Sequence, residues 1–283
     1  MYKLYYLSFI ISLAQLLFSG FAFSIDKNNN IHGSYITIKY QPTISNFKNF
    51  HIKETDFDTE DPIGFDTIAP NTNFDFLKHN YNFSVLYHKD SYKFYENDLS
   101  GLALSIGLLV KNLRIEFEGS YKNFDTKRLA YYHSREGHKF FAIPRTSNFG
   151  VIPDEDNYTV AKNNGISIIS NIINLCSETK FKNFTPYICL GIGGDFIEIF
   201  DVMRVKFTYQ GKVGISYPIT PKLVLSISGQ YHKVIGNKFK FLPLIQPVAL
   251  KRTDNGLEDK DVTALLTLDL EHFSSEIGLS FIF

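Results

Sequence analysis

The final stretch of the chain, Ser275 to Phe283, reads S-E-I-G-L-S-F-I-F and constrains the fold more than any other. Ile277, Leu279, Phe281 and Phe283 fall two apart, with Glu276, Gly278 and Ser280 at alternate positions. Side chains in a strand alternate between faces, so one face here is wholly apolar and finishes on aromatics. The sequence ends on Phe283 with no polar tail. In a soluble sandwich this pattern would be an ordinary half-buried strand; facing lipid, it would be a closing strand of a barrel. The segment by itself leaves both open, and the rest of the chain has to decide between them.

The other end reads as an export signal. Lys3 precedes the apolar run Leu4 to Phe18, broken by Ser8, Ser12 and Gln15, and Ala22-Phe23-Ser24 offers small residues at the cleavage positions. A membrane-spanning helix needs about 20 apolar residues, which this run does not supply. The expected domains are therefore a signal peptide over 1–24 and one mature domain over 25–283. No later run approaches helical spanning length. A mature chain that sits in a membrane must do so with strands, since only helices and closed barrels satisfy their backbone groups in lipid. Lys and Arg total 29, as do Asp and Glu, so there is no basic excess to attract nucleic acid. Two cysteines, Cys176 and Cys189, are too few for a disulfide framework.

Alternation recurs along the chain. Ile36, Ile38 and Tyr40 oppose Tyr35, Thr37 and Lys39; Leu102 to Val110 opposes Gly101 to Gly107; Ile115, Phe117 and Tyr121 oppose Arg114, Glu116, Glu118, Ser120 and Lys122. Asn164 to Leu175 fits either a helical stripe or a strand, and its β-branched content favours the strand. Ile188, Leu190 and Ile192 oppose Cys189, Gly191 and Gly193. Phe207, Tyr209, Val213 and Ile215 oppose Lys206, Gln210 and Lys212. After the Pro218–Pro221 turn, Leu223, Leu225, Ile227 and Tyr231 oppose Ser226, Ser228, Gln230 and His232. Leu266, Leu268 and Leu270 are even-numbered whereas Ile277 to Phe283 are odd, so a bulge or break is expected between them.

The connections set the count. Long ones near 41–98, 123–162 and 235–261, and a shorter outer one near 197–205, alternate with short ones at 111–112, 177–184 and 218–221. Tyr81 to His88 is either a spanning strand or a hairpin arm within the first long connection; the alternation holds only for the second. The fold class is then all-β, a single antiparallel transmembrane barrel of eight strands, with short periplasmic turns and long extracellular loops. Arg114, Glu116, Glu118, Lys122, Lys206, Gln210, Lys212, Gln230, His232 and Glu276 are expected in the lumen. Both signs are present, so ion pairs should link the Glu116/Glu118 strand to lysines or arginines of other strands. They either fill the lumen or set the selectivity of a pore, and eight strands leave little more room than side chains occupy.

Three ordered motifs then carry a resemblance: Pro186-Tyr187-Ile188-Cys189-Leu190-Gly191-Ile192-Gly193-Gly194-Asp195, Tyr209 to Tyr217 (Y-Q-G-K-V-G-I-S-Y), and Tyr231 to Asn237 (Y-H-K-V-I-G-N). With Gly33-Ser34-Tyr35, Lys39 to Thr43, and His272-Phe273 near the end, the chain resembles the major surface antigen family of Ehrlichia and Anaplasma. The resemblance implies an outer-membrane barrel displayed to the host, immunodominant, with porin activity in some members. The terminal residues Ile277, Leu279, Phe281 and Phe283 resemble the carboxy-terminal assembly signal of bacterial outer-membrane barrels. The partners implied are outer-membrane lipid, the barrel-assembly machinery, and the host-cell surface or antibodies. The function expected is a surface antigen and adhesin, with a porin for small hydrophilic solutes as the alternative; nothing sets the oligomeric state.

Signatures of other chemistry fall short. Gly191-Ile192-Gly193-Gly194-Asp195 lacks the third spaced glycine and the following helix of a phosphate loop. Asp56, Asp58 and Glu60 have the alternate spacing of a calcium loop, but Asp61 and Thr67 stand where it needs Gly and Glu. His133 and His138 lie five apart in a basic stretch without a supporting Glu or Cys constellation, and no cofactor or catalytic set is expected. A disulfide between Cys176 and Cys189 is conceivable, yet a hairpin centred on 177–184 would not set them opposite each other.

Overall fold

The computed structural model describes residues 32–55, 58–64, 93–128, 137–144, 158–244, 246–247 and 263–283. The expected signal peptide, the Tyr81–His88 stretch, Asp56, Thr67 and His133 lie outside the described residues. Eight strands close one antiparallel barrel: β1 His32–Tyr40, β2 Leu102–Val110, β3 Leu113–Phe124, β4 Ile166–Glu178, β5 Thr185–Ile199, β6 Val202–Thr220, β7 Leu223–Val234 and β8 Glu271–Ile282. Neighbours pair in sequence order, and β8 returns to β1 with Tyr35 opposite Ile282 and Tyr40 opposite Ile277. Closure removes the exposed edges that an open sheet would leave in lipid. The Asn164–Leu175 ambiguity resolves as strand: Ile166 to Glu178 pairs with β3 on one side and β5 on the other.

Outward positions carry the apolar residues of every strand, and Ile38, Leu190 and Phe207 are 66, 72 and 79% exposed. A soluble monomer rarely exposes a contiguous apolar patch beyond a few hundred Å². Here the apolar face runs round the barrel, as lipid requires. Tyr40, Tyr121, Tyr209 and Tyr217 also lie outward, where an amphipathic ring suits the membrane–water boundary.

One end has only tight turns. Lys111-Asn112 and Lys182-Asn183 each close a two-residue hairpin, with Lys111 and Lys182 at φ 57° and 48°. The strand runs through Pro218 with a register shift, so the third turn narrows to Pro221-Lys222. In the β4–β5 hairpin, Phe181 bridges Phe184 and the Thr179 amide donates to the Pro186 carbonyl. This moves the turn past the middle of 177–184 and sets Cys176 opposite Cys189, where they form a disulfide with Cα atoms 3.9 Å apart. The expectation that register would keep them apart is thus corrected: the arms are longer, and the turn later, than composition suggested.

The other end departs from a set of polar loops. The expected outer loop near 197–205 is a two-residue turn, Phe200-Asp201, with both residues at positive φ (51° and 60°). The described residues of the three remaining connections fold together. Lys48–Glu54, Thr263–Asp269 and Lys238–Pro243 form one sheet, while Ile63–Gly64, Phe140–Pro144, Tyr158–Lys162 and Gln246–Pro247 form another. Beneath them Ile52, Phe124, Phe141, Ile168, Ile197, Phe239, Leu266 and Leu268 make an apolar core together with the tops of the barrel strands. The β8 region shows how. Pairing breaks at Leu270, as the parity change suggested, but the facing does not: Leu266, Leu268, Leu270, His272, Ser274 and Glu276 are all buried on the inward side. What changes is the medium. Lipid outside demands a polar interior, whereas water outside demands an apolar one.

Candidate functional site

The barrel interior gathers the polar residues of all eight strands, stacked from the tight-turn end upward. At the bottom, Arg114 on β3 donates to Glu178 at 2.7 Å and brings Nη2 to 3.7 and 3.8 Å from the two disulfide sulfurs. Its guanidinium lies 4.6 Å from the centre of the Tyr187 ring and 5.7 Å from that of Tyr35, a cation–π arrangement. Those rings fit only because the strand beside each carries glycine: a Cβ at Gly107 would come within 2.3 Å of Tyr35, and one at Gly214 within 2.6 Å of Tyr187.

Above this floor five charges alternate across four strands. Lys39 Nζ lies 2.6 Å from Glu116 and also bonds Glu118; Lys212 Nζ lies 2.5 Å from Glu118 and 3.0 Å from Glu276. Tyr35 donates to Glu116, Ser228 to Glu276 and Gln41 to Glu276, at 2.9, 2.7 and 2.5 Å. Buried charges are tolerated only when each is paired and its remaining lone pairs are occupied, and this chain of contacts meets that condition. An amide relay follows: Gln41 to Gln230, Gln230 to Gln210 and Gln210 to Asn174, at 2.6, 2.6 and 2.7 Å.

The top layer holds His232, whose Nε2 is 2.8 Å from Asp195 and 2.7 Å from Thr208, stacked on His272 at 4.4 Å. Lys122, wholly buried, donates to Ser120 at 3.1 Å. A Thr–His–Asp set invites comparison with a nucleophilic triad, but here Asp195 and Thr208 share one ring nitrogen. A relay needs them on opposite nitrogens. His272 then touches Phe124, with ring centres 5.9 Å apart, and the apolar core of the cap begins.

Of the residues expected in the lumen, Arg114, Glu116, Glu118, Lys122, Gln210, Lys212, Gln230, His232 and Glu276 lie inside. Lys206 does not. It has the inward parity, but β6 has risen above the polar interior, and Lys206 donates to the Lys238 carbonyl at 2.9 Å over the Phe239 ring. In the cap, burial pushes the Tyr95 hydroxyl well up, opposed by a 2.9 Å bond from Asn163. Sequence reasoning left out Tyr35, Lys39, Gln41, Asn174, Asp195 and His272. Parity could have found Tyr35 and Lys39, which face away from Ile36 and Ile38. The glycine-rich setting of Asp195 and the helix-like spacing around Asn174 hid those two. His138 is buried in the turn Gly137–Lys139 of the cap.

The lower lumen retains a void of about 10 Å³, lined by Lys39, Arg114, Glu116, Tyr187 and Lys212 among others, barely the space of one water. Fold and interior together define a transmembrane β-barrel whose lumen is filled with polar side chains, its charged middle layer held in ion pairs. The family described as "Surface antigen" matches residues 27–283, and the chain belongs to it. It is 29% identical to major surface antigen 4 of Anaplasma marginale over 215 residues, 74% of this chain and 72% of that one. Among solved structures, Neisserial surface protein A aligns at TM-score 0.39 and 7% identity, over 89% of this chain and 97% of that one. Ail, the attachment invasion locus protein of Yersinia pestis, in complex with the heparin analogue sucrose octasulfate, aligns at 0.35 and 12%, over 88% and 99%.

Proposed function

We propose that this protein is a host-facing antigen of the bacterial outer membrane, in which a closed barrel anchors an ordered extracellular cap that makes contact with the host. The observation that carries this is the division of the interior: paired charges and amides fill the barrel's middle, and an apolar core joins the described residues of three long connections. Such a cap can present a fixed surface, and loops held by a rigid scaffold are where binding residues concentrate. In this reading residues 1–24 are removed on export, Ile277, Leu279, Phe281 and Phe283 are read by the assembly machinery, the tight turns face the periplasm, and the role is display and adhesion rather than catalysis. Liposomes carrying the refolded protein should bind host cells and lose that binding when protease trims the cap. Equal binding after trimming would refute the adhesive role.

The porin reading needs an open lumen, and the filled interior speaks against it. Single-channel recordings of the refolded protein should stay at the lipid baseline. Reproducible conductance steps would restore the porin.

A further inference from the structure

Two histidines form the last polar layer beneath the cap. His232 on β7 and His272 on β8 stand opposite each other in register, both wholly buried, with their rings stacked 4.4 Å apart. On the cap side His272 touches Phe124, whose ring meets Phe47 at 4.9 Å, and Phe47 meets Tyr95 at 5.2 Å. The Val234 amide donates to the Leu270 carbonyl at 3.0 Å, and both residues belong to the apolar core of the cap. The pair therefore sits where cap and barrel join.

The two rings differ in what they can do with a proton. His232 Nε2 lies 2.8 Å from Asp195, so a proton there is balanced by that carboxylate. Neither ring nitrogen of His272 has a hydrogen-bond partner among the described residues. The charged groups within reach of His272 are His232 itself and Lys122 of β3. Lys122 in turn stands near Asp195 of β5, Glu118 of β3, Glu276 of β8 and Lys212 of β6. Glu118 and Glu276 are both held by Lys212 a layer below, and Glu118 by Lys39 of β1 as well. The buried polar residues of β4, Ser170 and Asn174, carry no charge. A second imidazolium, on His272, would stand 4.4 Å from the first and close to an ammonium, with no carboxylate left to meet it. Burying such a charge unpaired is prohibitively costly.

We propose that His232 and His272 form a pH-sensitive latch: the closed cap admits one proton at the pair, and the second is taken up only when the cap lifts from the barrel. An imidazole in water titrates at about pH 6.5. Below that value the lifted state binds one proton more than the closed state, so the closed state loses stability as pH falls. Seating of the cap is full above about pH 7 and weakens about tenfold for each pH unit below about 6.5. The latch depends on the division between cap and barrel, not on what the cap binds.

The test is urea-induced opening of the cap in the full mature chain, refolded in nonionic detergent micelles at about pH 7.5 and about pH 5.5, on either side of the imidazole range. Brief hydroxyl-radical labelling of the Phe239 and Leu266 peptides reports the cap, and the heat-modifiable band reports the barrel. The wild-type opening constant, extrapolated to zero urea, should be about tenfold larger at the lower pH, with the barrel band unchanged. His272→Phe keeps a ring stacked beside Phe124 and removes the titrating nitrogens. Its cap should stay closed at the higher pH and lose the tenfold difference. His51 and the buried His138 remain in that variant, so a difference that persists there implicates other groups and overturns the proposal. A wild-type constant equal at both pH values overturns it too. Should His272→Phe misfold, nitrogen NMR of wild type with labelled imidazoles decides at the lower pH. No more than one ring of the pair should be doubly protonated while the cap is closed, and two such rings are the contrary result.

Discussion

Lys212 touches two carboxylates, Glu118 and Glu276, and is 2% exposed. Lys212→Met would leave both acids short of a counter-charge inside the barrel. Breaking a buried pair costs about 3–5 kcal/mol, so the urea midpoint in micelles should fall accordingly, and Glu118→Gln in the same chain should recover part of the loss. The Cys176–Cys189 bridge closes a loop with a sequence separation of 13. Replacing both with Ser should lower stability by about 2–3 kcal/mol, read from the same titration, and alkylation of the native protein should find no free thiol. These partnerships were only half legible in the sequence. The carboxylates on β3 announced that lysines must come from elsewhere, but Lys39 went unnamed, although its own strand's alternation points it inward. Lys206 shows the opposite failure, since its parity is right and its height is wrong.

At the scale of elements, β8 is paired on both edges, and the Phe283 amide donates to the Ser34 carbonyl at 2.9 Å beside the Phe281 ring, 5.4 Å away. Phe283→Ser should reduce the heat-modifiable form recovered in the outer-membrane fraction several-fold, with unassembled protein accumulating. Normal recovery would remove the role given to this ending. The β5–β6 connection offers a second check. The turn Phe200-Asp201 is short, and Phe200 is 4% exposed within the cap core. Protease shaving of intact cells should therefore spare 197–205 while cutting within 41–98. Strand existence was readable because β5 and β6 alternate cleanly. Turn position was not, since both the later Lys182-Asn183 turn and the tight Phe200-Asp201 turn depend on how far paired arms extend rather than on the turn residues themselves.

At the scale of the whole molecule, the interior changes character between His272 and Leu270, from polar to apolar, without any change in which way the strands face. The cap and the barrel therefore draw on different driving forces and should come apart separately. Leu266 is fully buried between Phe239 and Ile52 of the adjacent strands. Leu266→Ala should cost about 2–5 kcal/mol and speed tryptic cleavage of the cap, while the heat-modifiable shift of the barrel stays unchanged. Loss of that shift would mean that the two fold as one unit.

The sequence by itself determined eight strands, their order, their antiparallel closure and the face each turns to lipid. Those follow from period-two alternation, which a surrounding hydrocarbon imposes residue by residue. Only the tertiary structure decided which charges meet, where Cys176 finds Cys189, that Lys206 stands above the lumen, and that three long connections share one core. Alternation fixes facing but carries no height. Register and height come from distant strands pairing, and the medium at each height then decides whether an inward Leu266 or an inward Glu276 is the stable choice.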